Sequence, residues 1–514
     1  MKTRTLLLGA VVTCCAPCHA AVRVPAIIGE HMMLQACGRT PIFGWADPGE
    51  EVAVSIGDAK ATTTAGSDRK WTVIFTGLKS SATPVTVTIV GSNTITYQDV
   101  LIGDVWLCSG QSNMALPLRR VLGRDVSSPQ GLGQANEPQI RLFKMPKDTV
   151  LDPQDDCKGS WAVCTPNEAR EFSALGYFFG REIHLSEKIP VGLINVCRGG
   201  SSGQMWTSLE GLQSDPSLAS YLKEIVQAKA DYPQRKERYL KWKGDSGKSG
   251  NPREVVPRPV GMDAWEDNVM ALPTVLFNGM ISPIIPFGIK GAIWYQGEGN
   301  ADEWDLYRTL FPAMVRDWRL RWGQGDFPIY TVQLSSYRPP RSEPGESHWA
   351  AFREVQTQLQ SIVPHSGMAV TVDIGNAMDI HPLSKAEVGR RLSLVALAKT
   401  YNHPIEYSGP LYQRMEIRDG KVVLHFTQVG GGLTAKGGEP LKRFAIAGAD
   451  RKFVWGEAKI EAETVVVSSP QLSKPVAVRY AWDINPDGCN LFNAAGLPAS
   501  PFRTDDWKLE VSQP

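Results

Sequence analysis

Val105-Trp106-Leu107-Cys108-Ser109-Gly110-Gln111-Ser112-Asn113-Met114 is the stretch whose reading decides the fold. Its first four residues are apolar and β-prone, the pattern of a strand buried on both faces. Ser109-Gly110-Gln111-Ser112 then passes straight into turn and helix-start chemistry. A serine on such a tight strand-to-helix turn stands at the end of a sheet, where a nucleophile must be. It is not a Gly-x-Ser-x-Gly elbow, because Asn113-Met114 follows. Similar turns also simply cap a helix, so the reading depends on what else reaches the same sheet edge.

Outward from this stretch, residues 102–400 alternate apolar runs with amphipathic segments. The runs at 191–197, 289–295, 327–334 and 368–372 read as strands. Phe172, Leu175, Phe179 and Ile183 fall at helical spacing, as do Leu306, Leu310, Met314 and Trp318. Helices are expected over 167–188, 352–362 and 384–399 as well. This alternation predicts an α/β domain with a parallel sheet, helices on both faces, and ligands beyond the carboxyl ends of the strands. Over 205–280 the alternation stops, and a charged helical stretch runs into Gly/Ser/Asn/Pro-rich sequence at 244–252. That segment reads as an insertion over the sheet's rim and a candidate lid. Residues 21–101 hold short β runs and turns such as Asp47-Pro48-Gly49, and β texture returns over 401–514. A β-sandwich is therefore expected on either side of the α/β domain.

The 514 residues carry 54 Lys plus Arg against 53 Asp plus Glu, a net charge of +1. That balance argues against a nucleic-acid groove or a polybasic membrane patch, both of which need local positive excess. Residues 1–20 read as an export signal: Lys2 and Arg4, an apolar run over 6–16 too short to span a bilayer, then Cys18-His19-Ala20. A soluble chain starting at Ala21, periplasmic or extracellular, is expected. Beyond the signal, Cys37, Cys108, Cys157, Cys164, Cys197 and Cys489 are too scattered for a metal cluster. Cys157 and Cys164 either close a small loop disulfide or remain free buried thiols. Asp483-Ile484-Asn485-Pro486-Asp487-Gly488 imitates the start of a calcium loop, but its twelfth position is Ala494 rather than a bidentate Glu. No metal and no cofactor are expected.

Two further polar clusters follow strands. Arg198-Gly199-Gly200-Ser201 closes the 191–197 run, and a glycine pair there lets backbone N–H groups approach a developing oxyanion. A plain strand-ending turn is the alternative. Trp294-Tyr295-Gln296-Gly297-Glu298-Gly299-Asn300 closes a third strand, where the Gln296 amide is a candidate donor to the same oxyanion. A glycosidase needs a carboxylate pair, and Glu298 has no evident partner, so a structural or hydrogen-bonding role suits it better. The base follows by elimination. Of the eight histidines, only His381, in Met378-Asp379-Ile380-His381-Pro382, lies in a loop after a sheet strand and before a long helix. A serine hydroxyl needs such a base, and Asp379 is placed to orient the imidazole.

Together these clusters resemble the SGNH hydrolases, specifically the sialate O-acetylesterase branch. The resemblance rests on residues 103–114, 294–301, 379–382 and 385–391. Met33-Leu34-Gln35 and the stretch 490–504 add to it. It implies a flavodoxin-like three-layer α/β/α domain joined to β-sandwich modules, and removal of O-acetyl groups from sialic acids. It also implies Ser112 as nucleophile and His381 as base. The implied oxyanion hole is the Ser112 N–H, an N–H of Gly199 or Gly200, and the Gln296 side chain. Arg198, Asn113 and Glu298 stand beside these residues as candidate substrate-binding groups. Two departures from the pattern stand out. Arg198 and Ser201 replace a Trp and a Thr around the glycines, and the acid Asp379 lies two residues before the histidine, where relatives often have it three before. A Ser–His dyad oriented by a backbone carbonyl therefore stays open. An acetylxylan or other polysaccharide acetylesterase keeps the same chemistry, because specificity resides in loops.

Overall fold

The computed structural model describes residues 21–124, 135–146, 149–249 and 272–509. The N-terminal region runs β1 (Met33–Gln35), β2 (Arg39–Trp45), β3 (Glu51–Ile56), β4 (Ala59–Thr64), β5 (Lys70–Thr76) and β6 (Ser81–Val90). Strand β7 (Thr94–Gly110) follows, 17 residues long. Its first part alternates exposed and half-buried positions against antiparallel β6, whereas its last 11 residues are all buried. The change marks where the strand leaves a half-solvated sheet and enters one covered on both faces. The boundary expected at 101/102 thus falls inside a single strand, and one mixed sheet is continuous across it. The apolar core is continuous too: Ile42, Val54 and Trp71 belong to the same cluster as Trp318 and Phe352.

Beyond β7 come the short α1 (Ser112–Ala115), β8 (Glu137–Lys144), β9 (Ser160–Cys164), α2 (Ala174–Glu187) and β10 (Val191–Cys197). Then follow α3 (Ala219–Ser249), β11 (Gly291–Tyr295), α4 (Trp304–Trp322), β12 (Ile329–Val332), α5 (His348–Ile362), β13 (Ser366–Ala369) and α6 (Lys385–Lys399). The sheet order is β13-β12-β11-β7-β10-β8-β9, parallel except for antiparallel β9. The helix expected over 167–188 is broken at 170–173; Ser173 then caps α2 by accepting from the Gly176 N–H. Leu175, Phe179 and Ile183 face the core from α2, as their spacing requires.

Sequence order reverses around β7, which has β10 on one side and β11 on the other. Such a reversal opens a crevice at the carboxyl ends of the strands. The three polar clusters close these three neighbouring strands, so topology alone brings them to one place.

The 205–280 segment is not a lid hung over the rim at its ends. Met205, Trp206, Leu212, Leu218, Tyr221, Val275, Phe277 and Met280 are buried in the main core. Of the Gly/Ser-rich stretch at 244–252, residues 244–249 end α3, and 250–252 lie outside the described residues. After α6 the chain forms antiparallel sheets, one with strands 411–418, 421–427, 464–468 and 457–461 in that order, another with 453–455, 444–447, 477–480 and 502–503. Buried Arg353 from α5 fastens this region by donating to the carbonyls of Asp483 and Ile484 at 2.7 and 3.1 Å. Asp483 is committed to Arg341 at 3.5 Å and to the Ile484 N–H, so the calcium-like stretch serves structure. Cys157 and Cys164 are both free thiols, and burial pushes each up to about 12. Among the described residues no helix is long and apolar enough to cross a membrane.

Candidate active site

The nucleophile turn is made by a close approach. Gly110 has φ of 134°, and a Cβ there would lie 2.3 Å from the Tyr295 carbonyl oxygen, so only glycine lets β7 turn against β11. The Gln111 N–H donates to that carbonyl at 2.9 Å, and the Gln111 side-chain oxygen accepts from the Gly297 and Gly299 N–H groups. On the other side the Arg198 N–H donates to the Gly110 carbonyl at 3.0 Å. Three turns are thereby stitched together, with Ser112 at the first position of α1 and half-buried.

Gly199 stands directly beside the serine: a Cβ at Gly199 would be 3.5 Å from the Ser112 Cβ. Among the described residues, the N–H groups of Ser112, Gly199 and Gly200 have no hydrogen-bond acceptor. Unpaired donors beside a serine at the start of a helix are what an oxyanion requires. Gln296 is arranged differently from the expectation. It is fully buried and its amide nitrogen donates to the Asn300 side-chain oxygen at 2.8 Å and to the Ser201 carbonyl at 3.3 Å. One N–H ties its loop to the Gly-rich turn and the other stays within its own loop, so the donors left for an oxyanion are backbone ones.

His381 is partly exposed and sits on the loop between β13 and α6. Its Nδ1 lies 3.2 Å from Asp379 Oδ1, and the same oxygen accepts the His381 backbone N–H at 2.9 Å. A two-residue spacing therefore suffices for the acid to reach the ring. The other described histidines are engaged elsewhere or lack a partner acid. His31 pairs with Asp99, His348 with Asp302, His403 with Glu187 and His425 with Glu416, while His184 bonds the Ile189 carbonyl. The serine turn and the histidine loop meet through their neighbours, since the Asn113 side-chain nitrogen donates to the Ile380 carbonyl at 3.0 Å.

Of the candidate substrate contacts, Asn113 is closed off by burial, and Glu298 is tied to it. Asn113 is 1% exposed and its amide is fully used: nitrogen to Glu298 Oε1 at 2.6 Å and to Ile380, oxygen from Lys385 Nζ at 2.6 Å. The second carboxyl oxygen of Glu298 is buried without a partner among the described residues. Burial pushes this carboxyl above the ordinary range, outweighing its own backbone N–H, Asn113 and nearby Lys385, which pull it down. Arg198 keeps its candidacy. It is half-buried and, among the described residues, its guanidinium has no ion-pair or hydrogen-bond partner. Gln111, Asn300 and Lys385 were not anticipated. Lys385 is wholly buried, 5.2 Å above the Tyr295 ring, and no local pattern distinguishes such a lysine from a solvated one. A shallow surface depression lined by residues including Trp455, Trp482 and Arg443 shares none of these groups.

A half-buried serine at a strand end, unpaired backbone donors beside it and an acid-oriented histidine on the adjoining loop describe an ester hydrolase. Comparison with known proteins agrees. A family profile described as carbohydrate esterase, sialic acid-specific acetylesterase, matches residues 261–398. The sialate O-acetylesterase of Mus musculus is 29% identical, with 93% of this chain and 94% of that protein aligned. The human sialate O-acetylesterase is 27% identical over 93% and 92% of the two chains. The crystal structure of a carbohydrate acetylesterase from Xanthomonas citri is 35% identical with a TM-score of 0.78, covering 95% of this chain and 100% of that one. The chain belongs to the sialate O-acetylesterase family of carbohydrate esterases.

Proposed function

We propose that this protein is a sialate O-acetylesterase that works through an acetyl-serine. The observation that carries the mechanism is the conjunction of half-buried Ser112, the unpaired N–H groups of Ser112, Gly199 and Gly200, and the Asp379–His381 pair one residue from the Asn113–Ile380 hydrogen bond. His381 takes the Ser112 proton as Oγ attacks the acetyl carbonyl, and the backbone N–H groups receive the oxyanion. Collapse expels the sugar alkoxide, which takes the proton from His381. Water then attacks the acetyl-serine with His381 as base and releases acetate. Asp379 holds the ring by its Nδ1 side, leaving Nε2 for the serine.

The unpartnered Arg198 beside Gly199 supports an anionic sugar as substrate, because a guanidinium fork pairs a carboxylate bidentately. The sheet domain is read as the three-layer flavodoxin-like fold of the SGNH hydrolases, with β-sandwich modules before and after it; the strand order and the antiparallel C-terminal sheets support this. Residues 1–20, outside the described residues, are read as an export signal that takes the enzyme to the periplasm or beyond the cell. The test is acetate release from O-acetylated sialoglycan and from acetylxylan, side by side. Release mainly from the sialoglycan is expected. Release mainly from acetylxylan would move the substrate to a neutral polysaccharide.

A further inference from the structure

The loop that carries His381 makes few hydrogen bonds to the rest of the protein, although Ile380 packs against the main apolar core and Pro382 is buried. Its own hydrogen bonds are local: Met378 N–H to the Asn376 side chain, Asp379 N–H to the Asn376 carbonyl, and His381 N–H to Asp379. Met378 is 86% exposed, so apolar burial does not anchor that part of it. Among the described residues, the bond from the Asn113 amide to the Ile380 carbonyl is the one hydrogen bond that ties 377–382 to another part of the chain. Ile380 directly precedes His381, and Asn113 directly follows Ser112.

The amide that makes this bond is itself held at both ends. Glu298 Oε1 accepts from its nitrogen at 2.6 Å and Lys385 Nζ donates to its oxygen at 2.6 Å. An asparagine offers two N–H donors, and here one is given to Glu298 and the other to Ile380. The ammonium at the oxygen polarises the amide in the sense that strengthens its N–H bonds, and the carboxylate at the nitrogen fixes which way the amide faces. Lys385 is 0% exposed and Asn113 1% exposed, so water does not compete for these bonds. The charged groups facing the amide come from two elements, Lys385 from the start of α6 and Glu298 from the loop after β11.

We propose that Asn113 is a positioning residue: clamped between Lys385 and Glu298, its side-chain amide latches the His381 loop and so fixes the imidazole against Ser112. Asn113 touches no substrate and takes no proton. The proposal rests on Ser112 and His381 being nucleophile and base. A displacement of about 1 Å in a reacting group costs on the order of 10²-fold in rate, and that is the loss expected when the latch is cut.

The test uses the whole protein and 4-nitrophenyl acetate, an activated ester that needs no sugar recognition. Asn113→Ala, Ser112→Ala, His381→Ala and the double variant Asn113→Ala/His381→Ala are compared, with a thermal melt of each. Asn113→Ala is expected to lower kcat about 10²-fold with KM little changed. The double variant should be no slower than His381→Ala alone, because a latch has no work left once the imidazole is gone. Wild-type kcat in Asn113→Ala, or a double variant that loses the full factor again, overturns the latch while leaving the Ser112 reading intact. Full activity in Ser112→Ala overturns both. Should Asn113→Ala fail to fold, Glu298→Ala and Glu298→Gln read the same clamp. Gln keeps a neutral acceptor for the Asn113 nitrogen and should recover about fivefold of the kcat that Ala loses, as one neutral hydrogen bond allows. Equal kcat in the two variants overturns the clamp.

Discussion

Replacing Gly199 by alanine separates the demands of folding from those of catalysis. The added Cβ would lie 3.5 Å from the Ser112 Cβ and 3.9 Å from its Cα, ordinary contact distances, and no other heavy atom outside the adjacent residues stands within 4 Å. Gly199 is not among the glycines with positive φ, so its backbone suits alanine. Folding should therefore be unharmed or favoured by about 0.4–1 kcal/mol, because alanine restricts the unfolded chain. The methyl, however, takes the space against the serine where the acyl carbon and its oxyanion must lie. Donors act at about 2.7–3.1 Å from that oxygen, and a methyl in van der Waals contact with the serine pushes the acyl group out by roughly 1 Å, worth on the order of 10²-fold in rate. The expected outcome is kcat/KM lowered about 10²-fold, equivalent to about 2.7 kcal/mol of barrier, in a protein whose Tm is unchanged or higher. Initial rates on 4-nitrophenyl acetate and a calorimetric melt measure the two quantities. Activity within twofold of wild type would show that Gly199 does not wall the reacting centre, and the oxyanion assignment would fall.

Asp379→Asn should lower kcat by roughly 10², less than the ~10⁴ known for a buried triad acid because this carboxylate is 44% exposed and partly screened; unchanged kcat would leave a dyad. Gly110→Ala should unfold at lower temperature, by on the order of 3 kcal/mol of stability, since its Cβ would overlap the Tyr295 carbonyl at 2.3 Å. A melt equal to wild type would refute the close approach. Arg198→Ala should raise KM for sialic acid esters about tenfold, the worth of one charge-assisted pair, and leave 4-nitrophenyl acetate kinetics unaltered. An equal KM on both substrates removes the carboxylate contact.

The strand-end clusters were legible because chemistry and position coincide in them. An apolar run followed at once by Ser, Gly or Gln says both that a buried strand ends and that polar groups are gathered at its end. The 191–197 strand falls where its apolar run falls, and α6 begins one residue from its expected start. The boundary expected at 101/102 falls inside β7 because its alternating half and its buried half carry different periodicities, although one backbone runs through both. The 205–280 segment looked like an appendage since its charged helix dominates the sequence, while the apolar residues at its two ends pack into the core. Asn113 reads as a candidate substrate contact because its partners are remote, whereas the hydrogen-bonding role expected of Glu298 fits its bond to Asn113. Asn113 meets Lys385 across 272 residues, and no spacing rule couples positions that far apart. Gln296 was assigned by its place in a motif; only the geometry shows that its donors are already used.

The proposed mechanism requires Ser112 to carry the acetyl group between the two half-reactions. Mass spectrometry of enzyme quenched in acid during turnover of an activated acetyl ester tests it directly. One added acetyl group is expected on the peptide containing Ser112, absent in Ser112→Ala. Turnover with no acetyl on that peptide, or an acetyl that persists in the Ser112→Ala protein, would contradict it.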